Sequence, residues 1–220
     1  MPEEQTPVAE QEPARPALVD ALGGKRGLVD SGLPAVVFVF VNSVVDVGAS
    51  RPVALRSAIT AAVVTGLVII GLRLSRKESL QQALGGFFGL AIAVFFAARS
   101  GEARDFFKPG IYINAVYGAV FLGSAVVGRP IVGAIYAAVE GLGDRWRTDP
   151  RLRRAFALAT VGWACVFGAR AVVQTVFYNL DRTGLLAASK LLMGWPLTIL
   201  AVAATMAFVR RTRRTALPAA

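Results

Sequence analysis

Six apolar runs, each near the length of a bilayer crossing, fill most of this chain, and charged residues fall almost entirely between them. They cover about 32–49, 53–72, 80–98, 110–127, 155–178 and 185–209. An α-helix of roughly 20 residues crosses a hydrocarbon core about 30 Å thick. A membrane strand needs only about ten residues and alternates in polarity. These runs do not alternate. The expected fold class is therefore all-α, a polytopic membrane protein with six transmembrane helices. Composition agrees: 17% of residues are charged, against about a quarter in soluble domains.

Residues 1–29 read as a disordered cytoplasmic segment, because Pro, Glu and Gln dominate its start and apolar surface is scarce. The N-terminus is acidic rather than basic-then-apolar, so no cleavable leader is expected. Residues 30–210 form the transmembrane domain and 211–220 a basic cytoplasmic tail. Between the fourth and fifth runs, Ile131, Ile135, Val139, Leu142 and Trp146 fall on one helical face. Residues 130–143 are too short to cross. They read as a short interfacial amphipathic helix with Trp146 at headgroup depth, or alternatively as a re-entrant segment.

Pro34, Pro52 and Pro109 fit the first turns of their helices, where a missing N–H costs little. Pro196 lies inside the sixth run and should kink it, freeing a carbonyl. Gly85, Gly89, Ala93 and Ala97 recur every four residues and should let a neighbouring helix approach closely. Gly66 and Gly162 are isolated. Asp30 to Pro34 and Asp105 to Pro109 both read Asp-x-x-x-Pro ahead of a run, a weak sign of an inverted repeat of three-helix halves. Arg51-Pro52 and Arg129-Pro130 do not fit the same register.

The chain has 24 basic and 14 acidic residues and a formal net charge of +10. In a soluble protein that excess would point to nucleic acid. Here the basic residues flank apolar runs, so the expected partners are the lipid bilayer with its anionic headgroups and other membrane proteins, with no nucleic acid. Six spans put both termini on one side. Sixteen basic residues share that side and six lie opposite, which places both termini in the cytoplasm of a bacterial inner-membrane protein.

Histidine is absent and Cys165 is the single cysteine. No catalytic set, cofactor or metal site is expected. The polar residues inside the runs stand out instead: Asp46, Asn114, Arg170, Gln174 and Lys190. An Arg near mid-membrane costs roughly 2.5–3.5 kcal/mol and needs a partner or a wet cavity. With the topology above, these residues share the outer half of the membrane. The expectation is an outward-facing pocket in which Asp46 pairs with Arg170 or Lys190 and the residual positive charge suits an anionic ligand or headgroup. Two alternatives stay open: a structural ion pair with Lys190 snorkelling to the interface, and a contact for a partner protein.

Several short motifs occur in a fixed order. They are Leu22-Gly23-Gly24 to Pro34, Arg73 to Gly89, Asp105-Phe106-Phe107 with Pro109-Gly110, Arg129-Pro130, Trp163 with Arg170, Gln174 and Tyr178, and Gly194 with Pro196. Over about residues 18–210 the chain resembles an actinobacterial family of six-helix membrane proteins of unassigned function. More distantly, through Lys108-Pro109 and Arg154 to Trp163, it is similar to the intracellular septation protein A family. That resemblance implies an inner-membrane protein acting in envelope synthesis and division through partner contacts. It supplies no catalytic residues, and it makes Arg170 and Gln174 family features. Two functions follow: a non-enzymatic envelope protein binding lipid or partner membrane proteins, and a small transporter for an anionic solute or lipid.

Overall fold

The computed structural model describes residues 24–76, 80–140 and 145–216, and their regular structure is helical throughout. The order is α1 (Gly24–Asp46), α2 (Arg51–Ser75), α3 (Leu80–Ser100), a 3-10 turn (Ala103–Phe107), α4 (Lys108–Val126), α5 (Ile131–Glu140), α6 (Arg145–Thr148), α7 (Pro150–Asn179), α8 (Thr183–Leu192) and α9 (Trp195–Ala216). Among the described residues, four segments are long and apolar enough to cross a membrane: Arg51–Ser75, Ala103–Val126, Pro150–Asn179 and Thr183–Thr212. Gly32–Asp46 and Gly85–Ser100 are shorter apolar helices. Large apolar side chains such as Phe40, Phe88, Leu158 and Leu200 face outward, a surface suited to hydrocarbon rather than water.

Pro52 and Pro109 occupy first turns as expected. Pro34 does not. Helix α1 begins at Gly24, so Pro34 lies inside it. Residues 24–29, expected to belong to the N-terminal segment, are thus helical. Residues 1–23 lie outside the described residues. At the other end α9 runs on to Ala216, so most of the expected tail is helical. The two Asp-x-x-x-Pro motifs differ in structure: Asp105 sits in the 3-10 turn ahead of α4, whereas Asp30 and Pro34 are both inside α1. An internal repeat gains no support.

The sixth run is broken rather than kinked. Helix α8 ends at Leu192, and Pro196 stands in the first turn of α9. Proline cannot offer an N–H to the Leu192 carbonyl but fits a helix start, so one helix stops and another begins. Gly194 makes the joint possible: a Cβ there would meet the Lys190 carbonyl oxygen at 2.5 Å.

Apolar side chains collect in two cores. The first gathers Phe38 from α1, Leu55, Ala58 and Ala62 from α2, Leu90, Ala93 and Ala97 from α3, Phe106 and Phe107 from the 3-10 turn, and Leu186 from α8. Phe38 and Phe106 stack with ring centroids 4.1 Å apart. The second joins Val132 and Tyr136 of α5, Trp146 of α6, Phe156 of α7 and Val209 of α9. Small residues bring helices together. On α2 these are Ala54, Ala58, Ala62 and Gly66, all buried, and a Cβ on Gly66 would meet Leu90 Cδ2 at 2.7 Å. Of the expected α3 stripe, Ala93 and Ala97 are buried, but nothing lies within 4 Å of a Cβ placed on Gly85 or Gly89.

A short apolar helix does follow α4. Val132, Gly133, Tyr136 and Ala137 are buried, while Ile135 is 55% and Val139 48% exposed. The apolar stripe points away from the protein because hydrocarbon, not the protein core, is what it suits. Trp146 belongs to α6, is buried, and packs edge-on to Phe156 at 5.3 Å. Leu142 lies outside the described residues.

Candidate functional site

Helix α7 is the spine of the site. Asp149 caps it, accepting hydrogen bonds from the Arg151 and Leu152 amides at 2.8 and 3.3 Å, and Pro150 opens it. Arg170 and Gln174, one turn apart, are both buried although polar, with 9% and 6% exposure. One guanidinium nitrogen of Arg170, Nη2, donates to the Gly194 carbonyl at 2.9 Å and to Thr198 Oγ1 at 2.7 Å. Thr198 also donates its hydroxyl and its amide to the same carbonyl, at 2.8 and 3.1 Å. The carbonyl at the helix break therefore has three donors. The carbonyl that Arg170 engages is thus that of Gly194, which also keeps its own helical amide from Thr198, and not the Leu192 carbonyl that Pro196 was expected to free.

The rest of the guanidinium is less satisfied. Arg170 Nε is buried without a hydrogen-bond partner, and no carboxylate pairs with Arg170 among the described residues. The ring of Phe167 lies 5.7 Å away. Lys190 on α8 is held differently: its Nζ sits 5.7 Å from the Phe106 ring and 5.4 Å from that of Phe107, a cation over aromatic faces. Asn114 on α4 donates Nδ2 to the Gly110 carbonyl at 2.8 Å.

Arg170, Gln174, Lys190 and Asn114 line one cavity of about 390 Å³. Gly32, Ala35 and Val36 of α1, Phe107, Leu191, Trp195 and Thr198 complete much of its wall. Four of the five expected residues thus meet. Asp46 does not join them. It ends α1, is exposed, and lines a separate cavity of about 150 Å³ with Asn42, Arg51, Glu102 and Asp181. The expected pairing with Arg170 or Lys190 is corrected by depth. Arg170 lies nine residues before the end of α7, roughly 13 Å along the axis, while Asp46 stands at a helix end. Among the described residues, the cavity wall consequently carries two cations and no carboxylate.

A second polar cluster ties the 3-10 turn to the end of α7. Tyr178 donates its hydroxyl to Asp105 Oδ1 at 2.5 Å, and Lys108 Nζ meets Asp105 Oδ2 at 3.0 Å. The Arg104 guanidinium lies 5.2 Å from the Tyr178 ring, with its Nε 3.8 Å from Asp181. This clasp fixes Phe106 and Phe107 beneath Lys190. Sequence reasoning did not find it, nor did it find Thr198, Phe106 or Phe107 as site residues. Thr198, one turn after Gly194, was the findable one, since a hydroxyl beside a broken helix is a ready partner for its carbonyls.

A curated relative, the inner membrane-spanning protein YciB of Sinorhizobium fredii (strain NBRC 101917 / NGR234), is 26% identical over 191 residues, covering 81% of this chain and 84% of that protein. No solved structure matches the chain. With its long apolar helices, that likeness makes the chain a multi-pass inner-membrane protein. The profile described as "Protein of unknown function (DUF3159)" matches residues 22–216, and the chain belongs to that family.

Proposed function

We propose that this chain is a non-enzymatic protein of the bacterial envelope that binds the anionic headgroup of a lipid inside its transmembrane bundle. In this reading the polypeptide crosses six times, α8 and α9 together making the last crossing, with both termini cytoplasmic and the cavity open toward the outer leaflet. One observation carries it: a cavity of about 390 Å³ contains Arg170 and Lys190 and, among the described residues, no carboxylate in its wall. A cation kept inside a membrane without an acidic partner calls for an anion from elsewhere. The unbonded Arg170 Nε supplies a donor. Val36, Leu191 and Trp195 supply apolar surface for the first methylenes of an acyl chain. The inner-membrane relative supports the location.

The test is binding of an anionic phospholipid to detergent-purified protein, read as a shift in unfolding temperature against lipid concentration. Arg170→Gln or Lys190→Gln should weaken the apparent affinity roughly tenfold or more, the worth of one charge-assisted hydrogen bond. Unchanged affinity in both variants rejects the reading. The broken sixth span favours a second function, a carrier for an anionic solute, because discontinuous helices commonly frame transport sites. Phosphate uptake into proteoliposomes that Arg170→Gln abolishes would establish it.

A further inference from the structure

Two amide side chains in the cavity of Arg170 hold hydrogen-bonding capacity that the fold leaves unused. Gln174 lines that cavity at 6% exposure. Among the described residues, neither its Nε2 nor its Oε1 has a hydrogen-bond partner. Asn114 stands in the same wall. Its Nδ2 donates to the Gly110 carbonyl at 2.8 Å. A carbonyl can receive only the amide nitrogen, so this bond fixes the orientation of the side chain. It leaves Oδ1 as an acceptor with no partner among the described residues.

Burying an amide without partners is costly, and the neighbouring side chains do not answer it. Thr198 Oγ1 already donates to the Gly194 carbonyl and accepts from Arg170. Lys190 Nζ lies over the rings of Phe106 and Phe107, at 5.7 and 5.4 Å. A phosphodiester brings acceptor oxygens only. These suit Arg170 and Lys190 but offer nothing to Gln174 Oε1 or Asn114 Oδ1, which need a donor. A headgroup ammonium would bring donors, but beside Arg170 and Lys190 it is a like charge. A hydroxyl is neutral, donates and accepts, and so matches an amide on both sides.

We infer that this cavity takes a polyol phosphate headgroup, a phosphodiester whose outer alcohol keeps free hydroxyls, as glycerol and sugars do. That ligand class rests on the anionic-lipid reading of the same cavity and narrows it. The two cations hold the phosphate, while Gln174 and Asn114 read the alcohol. Gln174 follows Arg170 by one turn of α7, which sets their Cβ atoms about 5–6 Å apart on one face. A phosphate and the hydroxyls of its own three-carbon ester span a similar reach. Polar groups built to meet a hydroxyl also discriminate well, because the deoxy analogue leaves them unpaired.

Native mass spectrometry of the full chain tests it with two lipids of identical charge and acyl chains. One is phosphatidylglycerol. The other is phosphatidylpropanol, the same three-carbon diester without hydroxyls. The wild-type chain should bind phosphatidylglycerol about tenfold more tightly, the worth of two modest neutral hydrogen bonds. Gln174→Met should reduce that ratio to about threefold, the share left to Asn114. Arg170→Gln should weaken both lipids and keep the ratio. Equal binding of the two lipids by the wild-type chain overturns the inference, as does a ratio that Gln174→Met leaves unchanged. Equal binding that Arg170→Gln still weakens removes the hydroxyl recognition alone and spares the anionic-lipid reading. Displacement of phosphatidylglycerol by millimolar glycerol 3-phosphate, with dependence on Gln174, does the reverse: it supports recognition of a polyol phosphate and overturns a lipid as its source. Should Gln174→Met fail to fold, the wild-type ratio decides.

Discussion

Replacing Arg170 with methionine separates a structural arginine from a ligand-binding one. The two hydrogen bonds from Nη2, at 2.9 and 2.7 Å, favour the fold by about 1.5–3 kcal/mol each, or about 3–6 kcal/mol together. Opposing them, a cation inside the membrane costs roughly 2.5–3.5 kcal/mol, and the buried, unbonded Nε adds about 1–3 kcal/mol. The opposing sum is about 3.5–6.5 kcal/mol, so the arginine is close to neutral for stability. Its acceptors are not orphaned by the change, because Thr198 still bonds the Gly194 carbonyl at 2.8 Å. Arg170→Met should therefore shift the unfolding free energy by no more than about 2 kcal/mol, in line with apolar replacement of buried charge, while abolishing stabilisation by anionic lipid. Reversible unfolding in mixed micelles, with and without the lipid, measures both. A loss above about 4 kcal/mol with the lipid effect intact would refute the reasoning.

Gly194→Ala should destabilise the chain by about 1–3 kcal/mol through overpacking against the Lys190 carbonyl, whereas Gly89→Ala, with open space around it, should be neutral or stabilising. Thermal unfolding of the pair checks the difference in sign. Tyr178→Phe removes the 2.5 Å hydrogen bond to the buried Asp105 and should cost about 1.5–3 kcal/mol, measured in the same way. Asp46→Ala should leave anionic-lipid affinity unchanged, since Asp46 lies outside the cavity of Arg170, and lipid titration decides it. On a Cys165→Ser background, Arg182→Cys should react with an impermeant thiol reagent added outside the cell, and labelling only from the cytoplasmic side would reverse the orientation.

What could be read from the chain divides by the kind of constraint. Runs of about 20 apolar residues leave the backbone no choice but helix, so α2, α4 and α7 fall where the pattern put them. Charged and amide side chains within such runs are costly, and Arg170, Gln174, Lys190 and Asn114 were visible for that reason. Their partners were not. Asp46 looked suitable because run boundaries locate depth only to within a turn or two, and a turn is the difference between a salt bridge and a separate cavity. The direction in which α5 faces could not be read, because a stripe of Ile135 and Val139 says only that one side is apolar. Whether that side meets protein or lipid depends on the neighbours, and the telling residues were the small ones opposite, Gly133 and Ala137. Likewise the four-residue spacing of Ala54, Ala58, Ala62 and Gly66 resembles many alanine-rich stretches until Leu90 is found against it.

The broken sixth span serves both apolar cores, with Leu186 of α8 in one and Val209 of α9 in the other. Helix α7 does so without a break, carrying Phe156 into one core and packing Phe177 and Tyr178 against the other. Through its bond to the Gly194 carbonyl, Arg170 therefore pins the interrupted span to a continuous one.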